Sequence, residues 1–141
     1  MATVHVTRDF AAPVDRVFAY LAEHENLSVI FPARVERLKD GADSRNGVGS
    51  VRKLSFNGLL PFEETVLVYE PEERIEYAIT KGTPLRGHRG VMEFSELPGG
   101  GSRLDYTITF SSPIPGLAAI VAAALRRSIE RGLEKVERQT R

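Results

Sequence analysis

With 141 residues, 42% of them hydrophobic and 27% charged, the chain is large enough to bury a core unaided and too apolar to stay disordered. Lys plus Arg and Asp plus Glu both number 19, so the formal charge is zero and the basic surplus typical of nucleic-acid binders is absent. There is no Cys, which excludes disulfides, thiolate metal sites, iron–sulfur clusters and a Cys nucleophile.

Val4, Val6 and Phe10 share one parity and His5, Thr7 and Asp9 the other, which predicts a strand over about 3–10. Pro13 opens a helix, where its missing N–H has no partner to lose, and Val14, Val17, Phe18 and Leu21 follow at helical spacing. A second short helix is expected over about 25–30, ending before Pro32. The period then returns to two, with strands expected near 34–39, 48–57, 61–70, 73–81, 86–96 and 102–111. Asp40-Gly41, Asn46-Gly47, Asn57-Gly58, Glu70-Pro71 and Pro98-Gly99-Gly100-Gly101 supply turns, and connections this short favour an antiparallel meander.

Ser112-Pro113-Ile114-Pro115-Gly116 stops the last strand, and a long helix is expected over about 116–139. Leu117, Val121, Leu125, Ile129, Leu133 and Val136 form its apolar stripe. Residues 117–125 are apolar on every side, whereas from Arg126 onward the outer face is charged and Glu134 and Arg138 stand at i,i+4. The expected architecture is α+β, one domain over residues 1–141. A seven-stranded antiparallel sheet wraps around the C-terminal helix, with two short helices between strands 1 and 2. One helix covers only part of such a sheet, so an apolar hollow is expected between them. The start of the chain lacks the basic and apolar regions of a signal peptide, and its longest apolar run is far shorter than the roughly 20 residues of a membrane span. A cytoplasmic protein with no integral membrane segment is the expectation.

Familiar catalytic and cofactor patterns fail one by one. His24-Glu25 begins like H-E-x-x-H, but Ser28 stands where the second histidine belongs, and no other histidine pair has metal-ligand spacing. Gly47-x-Gly49 has Arg52 where a dinucleotide fingerprint needs Gly. No metal site and no cofactor are therefore expected.

Several stretches, in their order and spacing, resemble the START and Bet v 1-like helix-grip superfamily, and most closely its polyketide cyclase/dehydrase and lipid-transport branch. These are Val6 to Phe18, with its Asp9-Phe10-Ala11-Ala12-Pro13 turn, then Gly47-Val48-Gly49-Ser50-Val51-Arg52 and Glu63-Glu64-Thr65-Val66. Tyr69-Glu70-Pro71, the hairpin Pro98 to Leu104, and Ile114-Pro115-Gly116 before the last helix complete the series. The resemblance spans about residues 3 to 138. It implies the helix-grip fold and a cavity for a small hydrophobic ligand, without implying a reaction.

Strand parity nominates the residues that face such a cavity. Arg52, Leu54 and Phe56 share one face of their strand, and Glu64 and Val66 one face of the next, so Arg52 and Glu64 can meet as a buried ion pair that orients a carbonyl or hydroxyl. An exposed cross-strand pair, or Glu63 in place of Glu64, is the alternative. His88, Gly90, Met92 and Phe94 face inward if their strand alternates, and Gly90 leaves room beside His88. A rim-exposed His88 is the competing reading. Tyr77, Tyr106 and Ile108 are expected inward, Phe31 at the mouth, and Leu117, Val121 and Leu125 as lining and gate.

The expected function is binding of a small hydrophobic molecule such as a lipid, isoprenoid or polyketide-like ring. A cyclase or dehydratase is the alternative, abstracting a proton beside a carbonyl with His88 or Glu64 as base and Arg52 or Tyr106 stabilising the enolate. A third reading is a protein-interaction role, for instance as a ubiquinone chaperone. The partner is the hydrophobic molecule itself, with no nucleic acid, and the chain is monomeric or homodimeric.

Overall fold

The computed structural model describes residues 1–141, the side chain of Leu59 excepted. Strand β1 (Ala2–Phe10) leads into helix α1 (Val14–Ala22) and a short 3-10 helix (His24–Val29). Six strands follow: β2 (Arg34–Lys39), β3 (Val51–Phe56), β4 (Leu59–Glu70), β5 (Arg74–Lys81), β6 (Arg86–Glu96) and β7 (Ser102–Ser111). Helix α2 (Leu117–Thr140) ends the chain. All seven strands form one antiparallel sheet in the order β1-β7-β6-β5-β4-β3-β2. The architecture is the α+β helix-grip fold, a meander whose first strand returns to pair with its last.

Two strand starts differ from the periodicity by two residues or more. The strand expected at 48 starts at Val51, because Gly49 sits at φ +90° and turns the chain. Gly49 N–H and Ser50 C=O nevertheless bond across to Val66, so these residues still continue the sheet. β4 begins at Leu59 rather than 61. Asn57 (φ 53°) and Gly58 (φ 77°) form a two-residue turn with both residues left-handed, and this sets Phe56 opposite Leu59.

The core lies between the concave face of the sheet and the helices. Leu104, Tyr106, Ile108 and Phe110 alternate inward along β7, and Phe18 of α1 packs edge-on against Phe94 with centroids 5.0 Å apart. The two halves of α2 are held differently. Ile129, Leu133 and Val136 are fully buried, and Gly132 allows close approach to the 3-10 helix, since a Cβ there would lie 2.5 Å from Ile30 Cα. Glu137 accepts from the Ala11 N–H at 3.1 Å and Arg16 donates to the Thr140 carbonyl at 2.9 Å. Glu134 and Arg138 are both exposed and form no ion pair among the described residues.

The N-terminal half of α2 has no fully buried residue, no side-chain cap at Gly116 and no acid in its first turn. Segments with few buried contacts open locally at low free energy. Amides of residues 121–125 should therefore exchange with deuterium at least about tenfold faster than those of 130–136, measurable by hydrogen-exchange NMR. No helix is long and apolar enough to cross a membrane.

Candidate functional site

Between the sheet and the loosely held half of α2 lies a partly open cavity of about 350 Å3. Leu54, Phe56, Leu60 and Phe62 wall it from the β3–β4 hairpin, and Ile79 and the loop Gly82-Thr83-Pro84-Leu85 from β5 and beyond. Leu117, Val121 and Leu125 form its helical wall, with Phe31 and Ile108 completing the apolar surface. Glu64, Tyr77 and His88 bring polar atoms to it.

The β3–β4 register sets Arg52 directly opposite Glu64. Arg52 Nε donates to Glu64 Oε1 at 2.8 Å, with side chains only 4% and 6% exposed. The guanidinium carbon stands 4.6 Å from the Tyr77 ring centroid, a cation–π contact that shares in compensating its burial. Glu63, the competing candidate, faces the other way and reaches Lys81 at 3.9 Å.

Tyr77 crosses the floor of the cavity to bond the Tyr106 hydroxyl. Burial pushes both hydroxyls well above the ordinary phenol range, so both stay protonated. The crossing depends on Gly90, the cross-strand partner of Tyr77. A Cβ on residue 90 would lie 2.5 Å from Tyr77 Cε1 and 2.6 Å from its hydroxyl oxygen. The space expected beside His88 is thus filled by the Tyr77 ring. Gly90→Ala should cost about 1–3 kcal/mol through overpacking, read as a lower urea midpoint.

His88 owes its place to a β-bulge. Arg86 pairs with Ser111 but Arg89 with Thr109, so β6 carries one extra residue there, and Gly87 takes φ +62° to allow it. The ladder between β5 and β6 ends at Tyr77 and Gly90, and the Ile79 N–H beyond it donates to His88 Nδ1 at 3.1 Å. Burial lowers the His88 pKa, with Glu64 opposing the shift. The ring is therefore neutral at pH 7. With Nδ1 accepting, its proton is on Nε2, which has no protein partner among the described residues.

A second histidine lies deeper. His24, in the 3-10 helix, is fully buried and its Nε2 meets Ser50 Oγ at 3.1 Å. Ser50 donates to the Gly47 carbonyl at 2.7 Å, so the histidine donates and its Nδ1 is left without a partner. Burial, reinforced by the nearby positive charge of Arg52, lowers its pKa to about 3. Among the described residues, no cluster of three or more His, Asp or Glu side chains is arranged to hold a metal ion.

A family model described as polyketide cyclase/dehydrase and lipid transport matches residues 1–141. The chain belongs to that family. Its fold is shared by solved structures at low identity. A protein of Thermus thermophilus, TTHA0849, is 19% identical, with a TM-score of 0.77, covering 99% of this chain and 97% of that one. XoxI of Bacillus cereus is 15% identical, with a TM-score of 0.75 and coverage of 99% and 96%. A Thermobifida fusca protein is 17% identical, with a TM-score of 0.75 and coverage of 98% and 95%. No curated protein matches this sequence.

In this member of the polyketide cyclase/dehydrase and lipid-transport family, Phe31, Leu54, Phe56, Glu64, Tyr77, His88, Ile108, Leu117, Val121 and Leu125 all line the cavity. Arg52, Val66, Met92 and Tyr106 do not. Arg52 lies over Tyr77, Tyr106 lies beyond the Tyr77 hydroxyl, and Val66 and Met92 are packed in the core. Parity places a side chain on the concave face but says nothing of how deep a neighbour buries it. The lining residues that periodicity missed are Leu60, Phe62, Ile79 and the loop 82–85. The loop carries no period, and its Gly-Thr-Pro composition signals only a turn.

Proposed function

We propose that this family member binds a small hydrophobic molecule between the sheet and the N-terminal half of α2, as a carrier or binding protein. The observation that carries this reading is the cavity of about 350 Å3, apolar except where Glu64, Tyr77, Thr83 and His88 reach it. Its size falls within the usual range for small-molecule sites, and a few polar groups on an apolar wall suit orientation of a lipid, isoprenoid or polyketide-like ring. Affinity would come from apolar burial, at about 25 cal/mol per Å2. The loosely held helix half supplies a route of entry.

The test is to purify the protein, extract it with organic solvent and identify what is released by mass spectrometry. A stoichiometric hydrophobic molecule is expected. An empty extract, together with no binding of the neutral dye Nile red, overturns the reading.

A cyclase or dehydratase has one observation in its favour, the carboxylate of Glu64 and the N–H of His88 on one wall. Glu64 would then be the base and His88 the donor to the enolate oxygen. His88 itself is poorly placed as the base, because its lone pair already accepts from Ile79. Arg52 also holds the Glu64 carboxylate, which favours binding over proton transfer. Chemical change of a retained molecule during incubation would reverse that preference.

A further inference from the structure

We infer that His88 selects the polar end of the bound molecule, and that this end is an uncharged acceptor of the carbonyl type. The inference rests on the cavity being a binding site, and it specifies which hydrophobic molecules the site prefers.

The imidazole is held in one orientation and one tautomer. The bulge at Gly87 brings it over the end of the β5–β6 ladder, and the Ile79 N–H pins Nδ1 at 3.1 Å. In a neutral ring with Nδ1 accepting, Nε2 must carry the proton. The pinned edge faces the strand, so the Nε2–H edge is turned toward the cavity that the side chain lines. A ligand that fills the cavity takes this N–H out of solvent, and only an acceptor on the ligand keeps it hydrogen-bonded.

The other polar groups of the wall each already have a protein partner, whereas His88 Nε2 has none among the described residues. The Tyr77 hydroxyl is bonded to Tyr106. Glu64 Oε1 accepts from Arg52. Thr83 Oγ1 accepts from the Leu85 N–H at 3.1 Å. The placement of charge also excludes one class of ligand. Of the buried ion pair, Glu64 lines the cavity and Arg52 does not. A ligand carboxylate would therefore meet the negative partner first, in a low-dielectric setting where like charges repel strongly. A ketone, aldehyde or ester oxygen meets no such opposition.

Three probes of nearly identical shape isolate this choice: methyl naphthyl ketone, isopropylnaphthalene and naphthoate. Their dissociation constants are measured by titration calorimetry against the wild-type protein, His88→Leu and Thr107→Val. Wild type should prefer the ketone, with naphthoate weakest. His88→Leu should reduce the ketone-to-hydrocarbon affinity ratio about tenfold, the loss of one hydrogen bond between the imidazole N–H and the ligand. Thr107→Val, on the outer face of β7 and away from the cavity, should leave the ratio unchanged.

A ratio unaffected by His88→Leu overturns the role of His88, and naphthoate binding as tightly as the ketone overturns the uncharged class. In both cases the cavity remains a hydrophobic binding site. Failure of all three probes to bind overturns this inference and the binding function together. Should His88→Leu not fold, the imidazole nitrogen resonances of the wild-type protein decide. The ketone should shift Nε2 and isopropylnaphthalene should not; equal shifts overturn the inference.

Discussion

Glu64→Ala should lower the unfolding free energy by about 3–5 kcal/mol, measured by urea denaturation. The magnitude follows from what the truncation leaves behind. Arg52 is 3% exposed, and Glu64 accepts its Nε–H at 2.8 Å. Without Glu64, the guanidinium stays buried with only the Tyr77 face to stabilise it. A surface pair would contribute well under about 1 kcal/mol, so a loss of several kcal/mol distinguishes the buried arrangement directly. The double variant Arg52→Met/Glu64→Leu should recover most of the loss, because replacing both partners removes the desolvation cost along with the attraction. A double variant as unstable as the single one would mean that Glu64 contributes through packing rather than charge.

Acidification should destabilise the protein before its carboxylates titrate, and His24 should be the main cause. Its native pKa is about 3, against an ordinary value of 6.5. Below pH 6.5 the unfolded chain therefore takes up a proton that the native state refuses until about pH 3. Stability from this group is complete above about pH 6.5 and is lost progressively as the pH falls toward about 3. The total is on the order of 5 kcal/mol. His24→Gln keeps a donor for Ser50 and has nothing to titrate, so it should flatten the stability profile between about pH 6.5 and 4.5. His88, whose pKa is also lowered by burial, leaves a smaller slope of the same sign. Chemical denaturation at several pH values checks this, and equal slopes in His24→Gln and wild type would exclude His24 as the sensor.

The elements were legible where one period ran uninterrupted. β7 begins and ends at the expected residues because it alternates without interruption between Gly101 and Pro113, and β2 and β6 do so despite a register shift in each because Pro32 and Asp40, and Pro84 and Pro98, bound them. The Ile129, Leu133 and Val136 stripe likewise announced the buried half of α2. Facing across β3 and β4 was not legible from the Asn57-Gly58 turn alone: counted from Phe56 opposite Leu59 it would set Arg52 opposite Glu63, and an extra residue on β4, where Leu60 takes φ 51°, moves the pairing to Glu64. Three features depend on structure that no local pattern carries. His24 lies in the polar stretch His24-Glu25-Asn26, and only the turn at Gly47–Ser50 folding over it makes it a core residue. The crossing of Tyr77 over Gly90 requires the register between two strands. The wall built by residues 82–85 requires knowing where an aperiodic loop folds.

The return of β1 to pair with β7 has a consequence for how the protein is made. Ala2 lies opposite Phe110 and Phe10 opposite Ser102, so the first strand to leave the ribosome has no partner until the last strand is synthesised. At about 5–20 residues per second, the intervening stretch of roughly 100 residues takes about 5–20 seconds to translate. Throughout that interval Val4, Val6 and Phe10, all core residues of the finished fold, remain exposed on an open strand edge. Sheet closure must then join ends separated by nearly the whole chain, a topology that folds slowly. The period of greatest vulnerability to aggregation is thus translation itself, and it ends only as the segment leading into α2 emerges.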